Sequence, residues 1–364
     1  MNIAFYAPMK PPSSTVPSGD RRVARALIDA MERGGHAVEV AADLVSFEPI
    51  GDAARQHRLC AEGAAIAATL LQKFRAKSSD ARPDLWFTYH LYYKAPDWIG
   101  PLVADGLGIP YVVAEASFAP KRAGGPWDAS HRAVAAAIAR ADLVFGLNSA
   151  DSACVLPLLK GPERMVALKP FLSPATPAPH LGGSPATSAR LLTVAMMRTG
   201  AKLASYRVLA RALERLPRAG WHLTVVGDGP VEADVHALFD RPEVAFAGRL
   251  SEDAVSELYA ASDLLVWPAV GEAYGMALLE AQAAGLPVVA GRSGGVGDIV
   301  HDGVTGLLVE EGDAEAFGDA VASLLAAPAR RQTMGLAAAR KARDEHGFAA
   351  AAEMIDAQLR ALVP

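Results

Sequence analysis

Cysteine is nearly missing from this sequence. Cys60 and Cys154 are the two it holds. They stand far apart and outside any CxxC or zinc-like spacing, so they read as reduced thiols rather than a disulfide or a metal site. No Asp-x-Asp occurs, and no His/Cys/Asp grouping has metal spacing, so no catalytic metal and no bound cofactor are expected. Apolar runs are short as well: none approaches the ~18 uninterrupted residues of a spanning helix. The opening Met-Asn-Ile-Ala-Phe-Tyr-Ala-Pro lacks the basic and apolar regions of a signal peptide. A cytoplasmic protein, at most peripheral to a membrane, is therefore expected. Aromatics make up only 7%, which predicts mainly aliphatic cores.

No strong charge of one sign is present either. A net charge of −5 gives no reason to expect nucleic acid as a partner. The first 180 residues carry two more bases than acids, and the remainder an excess of seven acids. Such a split suits an anionic acceptor or a membrane surface no better than it suits ordinary solvated faces.

What the sequence does have is a repeated βα rhythm. Asn2 to Ala7 reads as a buried strand and Pro8 to Pro17 as a loop. A helix capped by Ser18 follows, with Val23, Leu27, Ala30 and Met31 on one face, and Gly34-Gly35 ends it before the strand His36 to Ala41. Strand-like runs recur at Asp84–Tyr89, Pro110–Ala114 and Asp142–Gly146. Pro170 to Ala189 has five prolines and no charge until Arg190, which is linker composition. A second series has strands near Leu191–Ala195, Trp221–Val226, Val244–Ala247, Asp263–Trp267 and Pro287–Ala290, and Gly347 to Leu362 closes as a helix. At 364 residues, the economical reading is two doubly wound α/β domains joined by a Pro-rich hinge.

The sharpest motif is Glu272 to Glu280, two carboxylates with seven residues between them. An apolar strand ending at Trp267-Pro268 precedes the pair, and a helix-forming run from Met276 to Ala284 carries Glu280. The start of that helix offers free N–H groups and a positive dipole end to a phosphate, and Gly275 permits close approach of a ligand. Two such carboxylates on their own are a common pattern. The neighbouring text is not: Val225-Val-Gly-Asp-Gly-Pro230, Phe246-Ala-Gly-Arg-Leu250, then Glu280-Ala-Gln-Ala-Ala-Gly-Leu-Pro-Val-Val289 and Gly294-Gly295, in that order.

With these parts the run from Leu191 to about Leu325 resembles the donor domain of glycosyltransferase family 4. That resemblance implies a GT-B fold, two Rossmann-like domains facing each other across a cleft, and a retaining transfer of sugar from a nucleotide diphosphate to an acceptor hydroxyl. The acceptor-side domain is placed at 1–172 and the donor domain at 173–345, with a last helix, 346–364, packing back on the first. By the same resemblance Glu280 holds the ribose, Glu272 the donor sugar, and the backbone N–H groups near Tyr274, Gly275 and Met276 face the phosphates or the sugar. Gly227, Gly248 and Arg249 stand in neighbouring donor-side turns.

The family also implies an Arg and a Lys that stabilise the leaving diphosphate, here Arg198 and Lys202 in Met196-Met-Arg-Thr-Gly-Ala-Lys-Leu203. The match departs there, since Ala195-Met196 stands where Gly-Arg is usual. In the first domain Pro17-Ser-Gly19 resembles the family's Gly-rich loop, or is simply a helix cap. His90 follows a strand where family members have a histidine, but the second histidine expected near the reacting centre is replaced by Glu115-Ala-Ser117. Glu115, Lys121 and Arg122 are acceptor-side candidates, against an ordinary solvated loop. The run Ala64 to Lys77 reads as a core-packed surface helix or a membrane contact. A sugar-nucleotide epimerase, a phosphorylase and a silent nucleotide-sugar-binding module remain as other readings of the same fold.

Overall fold

The computed structural model describes residues 1–15, 18–172 and 188–363. Most of the Pro-rich linker, and Pro17 of the Pro17-Ser-Gly19 loop, lie outside the described residues.

Parallel strands buried on both faces need continuous apolar runs rather than alternation. The chain supplies two sets of them. In the first, β1 (Asn2–Tyr6), β2 (Ala37–Ala42), β3 (Leu85–Leu91), β4 (Tyr111–Ala116), β5 (Leu143–Gly146) and β6 (Met165–Ala167) form a parallel sheet in the order β2-β1-β3-β4-β5-β6. In the second, β7 (Ala189–Val194), β8 (Trp221–Val226), β9 (Val244–Gly248), β10 (Leu264–Trp267), β11 (Val288–Gly291) and β12 (Gly306–Val309) are ordered β12-β11-β10-β7-β8-β9. The edge strands β6 and β12 escape the sequence reading because each is short and only half buried.

The chain divides into two compact units, Met1–Phe171 with Phe348–Pro364, and Leu172–Gly347. Each sheet reverses its winding once, between β1 and β3 in the first unit and between β7 and β10 in the second. Ligands of open α/β sheets bind outside the carboxyl ends of strands at such reversals. The loops after β1, β3, β7 and β10 are therefore the positions at which the fold favours a ligand.

The scarce aromatics are concentrated inside, against the aliphatic expectation. Phe5, Phe87 and Phe145 stack in sequence across β1, β3 and β5, at 5.8 and 6.2 Å between ring centres. Below the loop after β3, the buried Asp97 accepts from Thr88 Oγ1, Tyr111 Oη and the N–H groups of Ile99 and Gly100. A carboxylate so fully satisfied fixes the loop to the sheet.

The closing segment is two helices, Pro328–Glu345 and Phe348–Leu362. The second packs against the helix Gly19–Arg33 within the first unit. His36 Nε2 lies 2.9 Å from Asp356, and Arg360 donates to the carbonyl of Gly34. The Ala64–Lys77 run belongs to a longer helix, Ala53–Ala76, whose Leu59, Ala67, Leu70 and Phe74 are buried. Among the described residues no helix is long and apolar enough to cross a membrane.

Candidate functional site

In the second unit, β7 ends into Ala195–Gly200, and Gly200 at φ 77° turns that loop into the helix Ala201–Glu214. The helix begins at Ala201, which puts Lys202 in its first turn. Beside it, β10 ends at Trp267. Pro268 and Ala269 follow, and Ala269 is held at φ 54°, a conformation few non-glycine residues adopt. The chain then runs through Gly271 (φ 58°) and Gly275 (φ 78°) into the helix Met276–Ala283.

These two loops bring Lys202 and Glu272 together. Lys202 Nζ donates to Glu272 Oε2 at 2.5 Å, and Trp267 Nε1 donates to the same oxygen at 3.2 Å. The ammonium also lies over the Trp267 ring, 5.3 Å from its centre. Tyr206 packs edge-on to that ring and donates to the carbonyl of Ala195, tying the β7 loop to the β10 loop. Neither glutamate hangs free: Glu280 accepts from Tyr259 Oη at 3.1 Å, from the second turn of its helix. The helix start at Gly275 has no side-chain cap, so no side chain satisfies its first N–H groups.

Glycines brace the whole assembly by close backbone approach. A Cβ on Gly294 would stand 2.2 Å from the carbonyl oxygen of Glu272, and the N–H of Gly295 donates to the carbonyl of Ala273. Gly229 abuts the carbonyl of Met197 and Gly227 that of Ala195, so neither position has room for a side chain. The Gly-Asp-Gly-Pro turn thus braces the loop that launches Lys202.

The remaining donor-side candidates are spread around this pair. Tyr274 is buried at 7% exposure and Met276 opens the helix. Gly248, at φ 65°, accepts from the N–H of Gly227. Arg249 is largely exposed and pairs with Asp228 at 3.2 Å. Arg198 turns its guanidinium to the sulfur of Met196, at 2.7 Å, rather than to a carboxylate.

In the first unit the strands run further than expected: His90 lies inside β3 and Glu115 inside β4. Both have left-handed backbones, at φ 63° and 60°. The two side chains converge, with His90 Nδ1 2.9 Å from Asp20 and 3.9 Å from Glu115. Asp20 is the second residue of the helix that Ser18 caps through the N–H of Arg21. Gly19, beside it, would meet nothing within 4 Å if it carried a Cβ. Its backbone is open to approach.

Burial works against a charged imidazole, but Glu115, Asp20 and Asp151 outweigh it, so His90 is pushed up to about 9. Burial likewise opposes the Asp20 carboxylate, yet the His90 partnership holds its pKa below the usual range. Tyr92, against the His90 ring at 5.1 Å, is raised by burial and by Asp20. Lys121 and Arg122 form a short helical turn, Pro120–Arg122, after β4.

Sequence reasoning misses Trp267, Tyr259, Tyr92 and Asp20. Trp267 does carry a signal, as the last residue of an apolar strand before Pro268. Asp20 shows only as an acid in a helix's first turn. Among the described residues no group of His, Cys, Asp and Glu could hold a metal ion.

Comparison with known proteins bears on the second unit above all. Residues 188–327 match the family Glycosyl transferases group 1. The sulfoquinovosyl transferase SQD2 of Arabidopsis thaliana is 37% identical over 137 residues, 37% of this chain and 26% of that protein. A D-inositol 3-phosphate glycosyltransferase of Kribbella flavida is 36% identical over 143 residues, 36% of this chain and 34% of that protein. The chain thus spans about a third or less of these curated relatives. Over the full length, the crystal structure of Anabaena HepE in complex with UDP-glucose superposes with a TM-score of 0.74, covering 100% of both chains at 19% identity. A sequence match within one unit and a fold match across both lead to one statement: the chain has the GT-B fold, and residues 188–327 of its second unit are similar to the Glycosyl transferases group 1 family.

Proposed function

We propose that this protein is a glycosyltransferase that takes a sugar from a nucleotide diphosphate and passes it to an acceptor hydroxyl, retaining the anomeric configuration and using no metal. The observation that carries the reading is the Lys202–Glu272 pair beside an uncapped helix start, at the point where the second sheet reverses. A diphosphate at the N–H groups of Met276 and Ala277 meets both the helix dipole and the Lys202 ammonium. Cleaving the glycosidic bond leaves added negative charge on the nucleotide, and a cation already in place stabilises it without reorganisation.

Glu272 and Glu280 serve as acceptors for hydroxyl groups on either side of that anion, the sugar at Glu272 and the ribose at Glu280. Arg198 reaches the diphosphate only by leaving the Met196 sulfur, so Lys202 is the principal cation. No side-chain nucleophile is needed: the acceptor attacks on the face from which the diphosphate departs. HepE, of the same fold, was solved with UDP-glucose, which supports a nucleotide sugar as donor. The reaction belongs in the cytoplasm, where nucleotide sugars are made, with no resident cofactor.

Thermal shift with UDP-, GDP- and ADP-sugars tests the donor assignment. One of them should raise the melting temperature of the wild type, since a ligand that binds only the folded state stabilises it by mass action. Glu280→Ala should lose most of that shift, and Lys202→Met should lose turnover more than binding. If none of these donors stabilises the protein, the assignment is wrong.

A further inference from the structure

Beyond His90, the loops after β3 and β4 build a second cluster in the first unit. Tyr93 and Trp127 meet edge to face, ring centres 5.4 Å apart. Two cations flank them: Lys94 Nζ is 5.0 Å from the Trp127 ring centre, and the Arg122 guanidinium is 5.0 Å from that of Tyr93. We infer that this cluster is a binding site for an oxyanion, of the phosphate or carboxylate kind, carried by the molecule that receives the sugar. Calling the ligand an acceptor rests on the glycosyltransferase reading; the anion site itself does not.

The charge is what makes the cluster unusual. Neither Lys94 nor Arg122 forms an ion pair with a carboxylate among the described residues, and Arg122 Nε is buried there without a hydrogen-bond acceptor. Aromatic faces position a cation but do not neutralise it. The buried Glu48 carboxylate is already spent on the N–H groups of Ile50 and Gly51. Asp128 is engaged with Arg132 and with the N–H of Gly124.

The platform is also rigid. Trp127 Nε1 donates to the carbonyl of Glu48, and the N–H of Glu48 donates to the carbonyl of Lys94, so one buried segment fixes both the ring and a cation-bearing loop. Rings run on without a break from Trp127 through Tyr93 and Tyr92 to His90, a third positively charged group. All lie at the carboxyl end of the first sheet, where such sheets take ligands. A fixed guanidinium and ammonium with unspent donors suit an oxyanion, and the aromatic faces suit the body that carries it.

Calorimetric titration tests this with inorganic phosphate and glycerol 3-phosphate as probes and glycerol as the neutral control. The wild type should bind both anions saturably, each displacing the other, and should ignore glycerol. Arg122→Gln and Lys94→Gln should each weaken binding about tenfold or more, as loss of a charge-assisted hydrogen bond implies. Melting temperature should stay unchanged, and so should nucleotide-sugar binding, which belongs to the second unit. Absence of phosphate binding in the wild type, or equal binding in wild type and both variants, overturns the proposal. Anion binding that depends on Arg122, in a protein that binds no nucleotide sugar, upholds the anion site and sinks the donor assignment instead.

Discussion

Raising the pH from 6.5 to 9 should selectively loosen the first unit, and the effect should run through His90. An imidazole that ordinarily titrates at 6.5 is held at about 9 in the folded chain, because Glu115, Asp20 and Asp151 outweigh the cost of burying its charge. Below pH 6.5 both folded and unfolded chains carry the proton, and the stabilisation is present in full. Between 6.5 and about 9 the unfolded chain releases it while the folded chain keeps it, so stability falls as pH rises; above 9 the contribution is gone. At 1.36 kcal/mol per pKa unit, the shift corresponds to about 3 kcal/mol. The lowered Asp20 pKa expresses the same contact and adds no second contribution. His90→Gln keeps a hydrogen-bonding group beside Asp20 and removes the titration. Hydrogen exchange of the 85–91 segment, corrected for intrinsic rate, should show opening that eases from pH 6.5 to 9 in the wild type and stays level in the variant. In parallel, the His90 ring resonance should titrate well above the other histidines. A His90 resonance that titrates at or below 6.5, or a pH dependence that survives in His90→Gln, refutes the account.

Two further predictions concern positions that carry no proposed chemistry. Gly294→Ala places a Cβ 2.2 Å from the Glu272 carbonyl at a backbone φ of 47°, so it should weaken nucleotide-sugar binding although both glutamates are intact; Gly297→Ala, with nothing within 4 Å, is the matched control in the same calorimetric assay. On the acid side, His36 is kept neutral chiefly by burial and by the nearby amino terminus, against the pull of Asp356. An unfolded His36 takes a proton below pH 6.5, so stability should fall with pH there, and His36→Gln should flatten that limb of a urea-midpoint profile.

The architecture is legible because a parallel sheet announces itself: Leu85-Trp-Phe-Thr-Tyr89 and Leu264-Leu-Val-Trp267 are apolar without alternation, and glycines punctuate the helices between them. The Lys202–Glu272 site is legible for a related reason. Its parts, Gly227 to Pro230, Glu272 to Glu280 and Gly294-Gly295, are each local in sequence, and each needs particular residue types for a backbone reason. Asp20 with His90 is not legible, since 70 positions separate two residues that separately look like a helix-start acid and a strand-end histidine. The burial of Glu48 and Asp97 is equally hidden, because a carboxylate looks the same in sequence whether water or backbone N–H groups satisfy it. The cluster around Trp127 needs three loops to be seen together, and only Arg122 stands out in the sequence.

The non-glycine residues with left-handed backbones among those described, His90, Glu115 and Ala269, all lie at the carboxyl ends of central strands. Such conformations cost on the order of 1–3 kcal/mol each and persist only where the surroundings dictate them. At Ala269 the surroundings are visible. The N–H of Val270 is held by the buried Ser205, that of Gly271 by Glu311, and Glu272 by Lys202 and Trp267. Three successive residues are therefore fixed by three different elements, and the strained turn before them is what aims Glu272 back at the β7 loop. At His90 and Glu115 the strain brings a base and an acid from neighbouring strands to within 3.9 Å. Relaxing either backbone into the ordinary strand conformation would send its side chain to one face of the sheet and away from the strand ends. The same device, a kinked strand end held by contacts from other elements, thus assembles the charged cluster of each unit, and in neither does the fold alone require the residue that bears the strain.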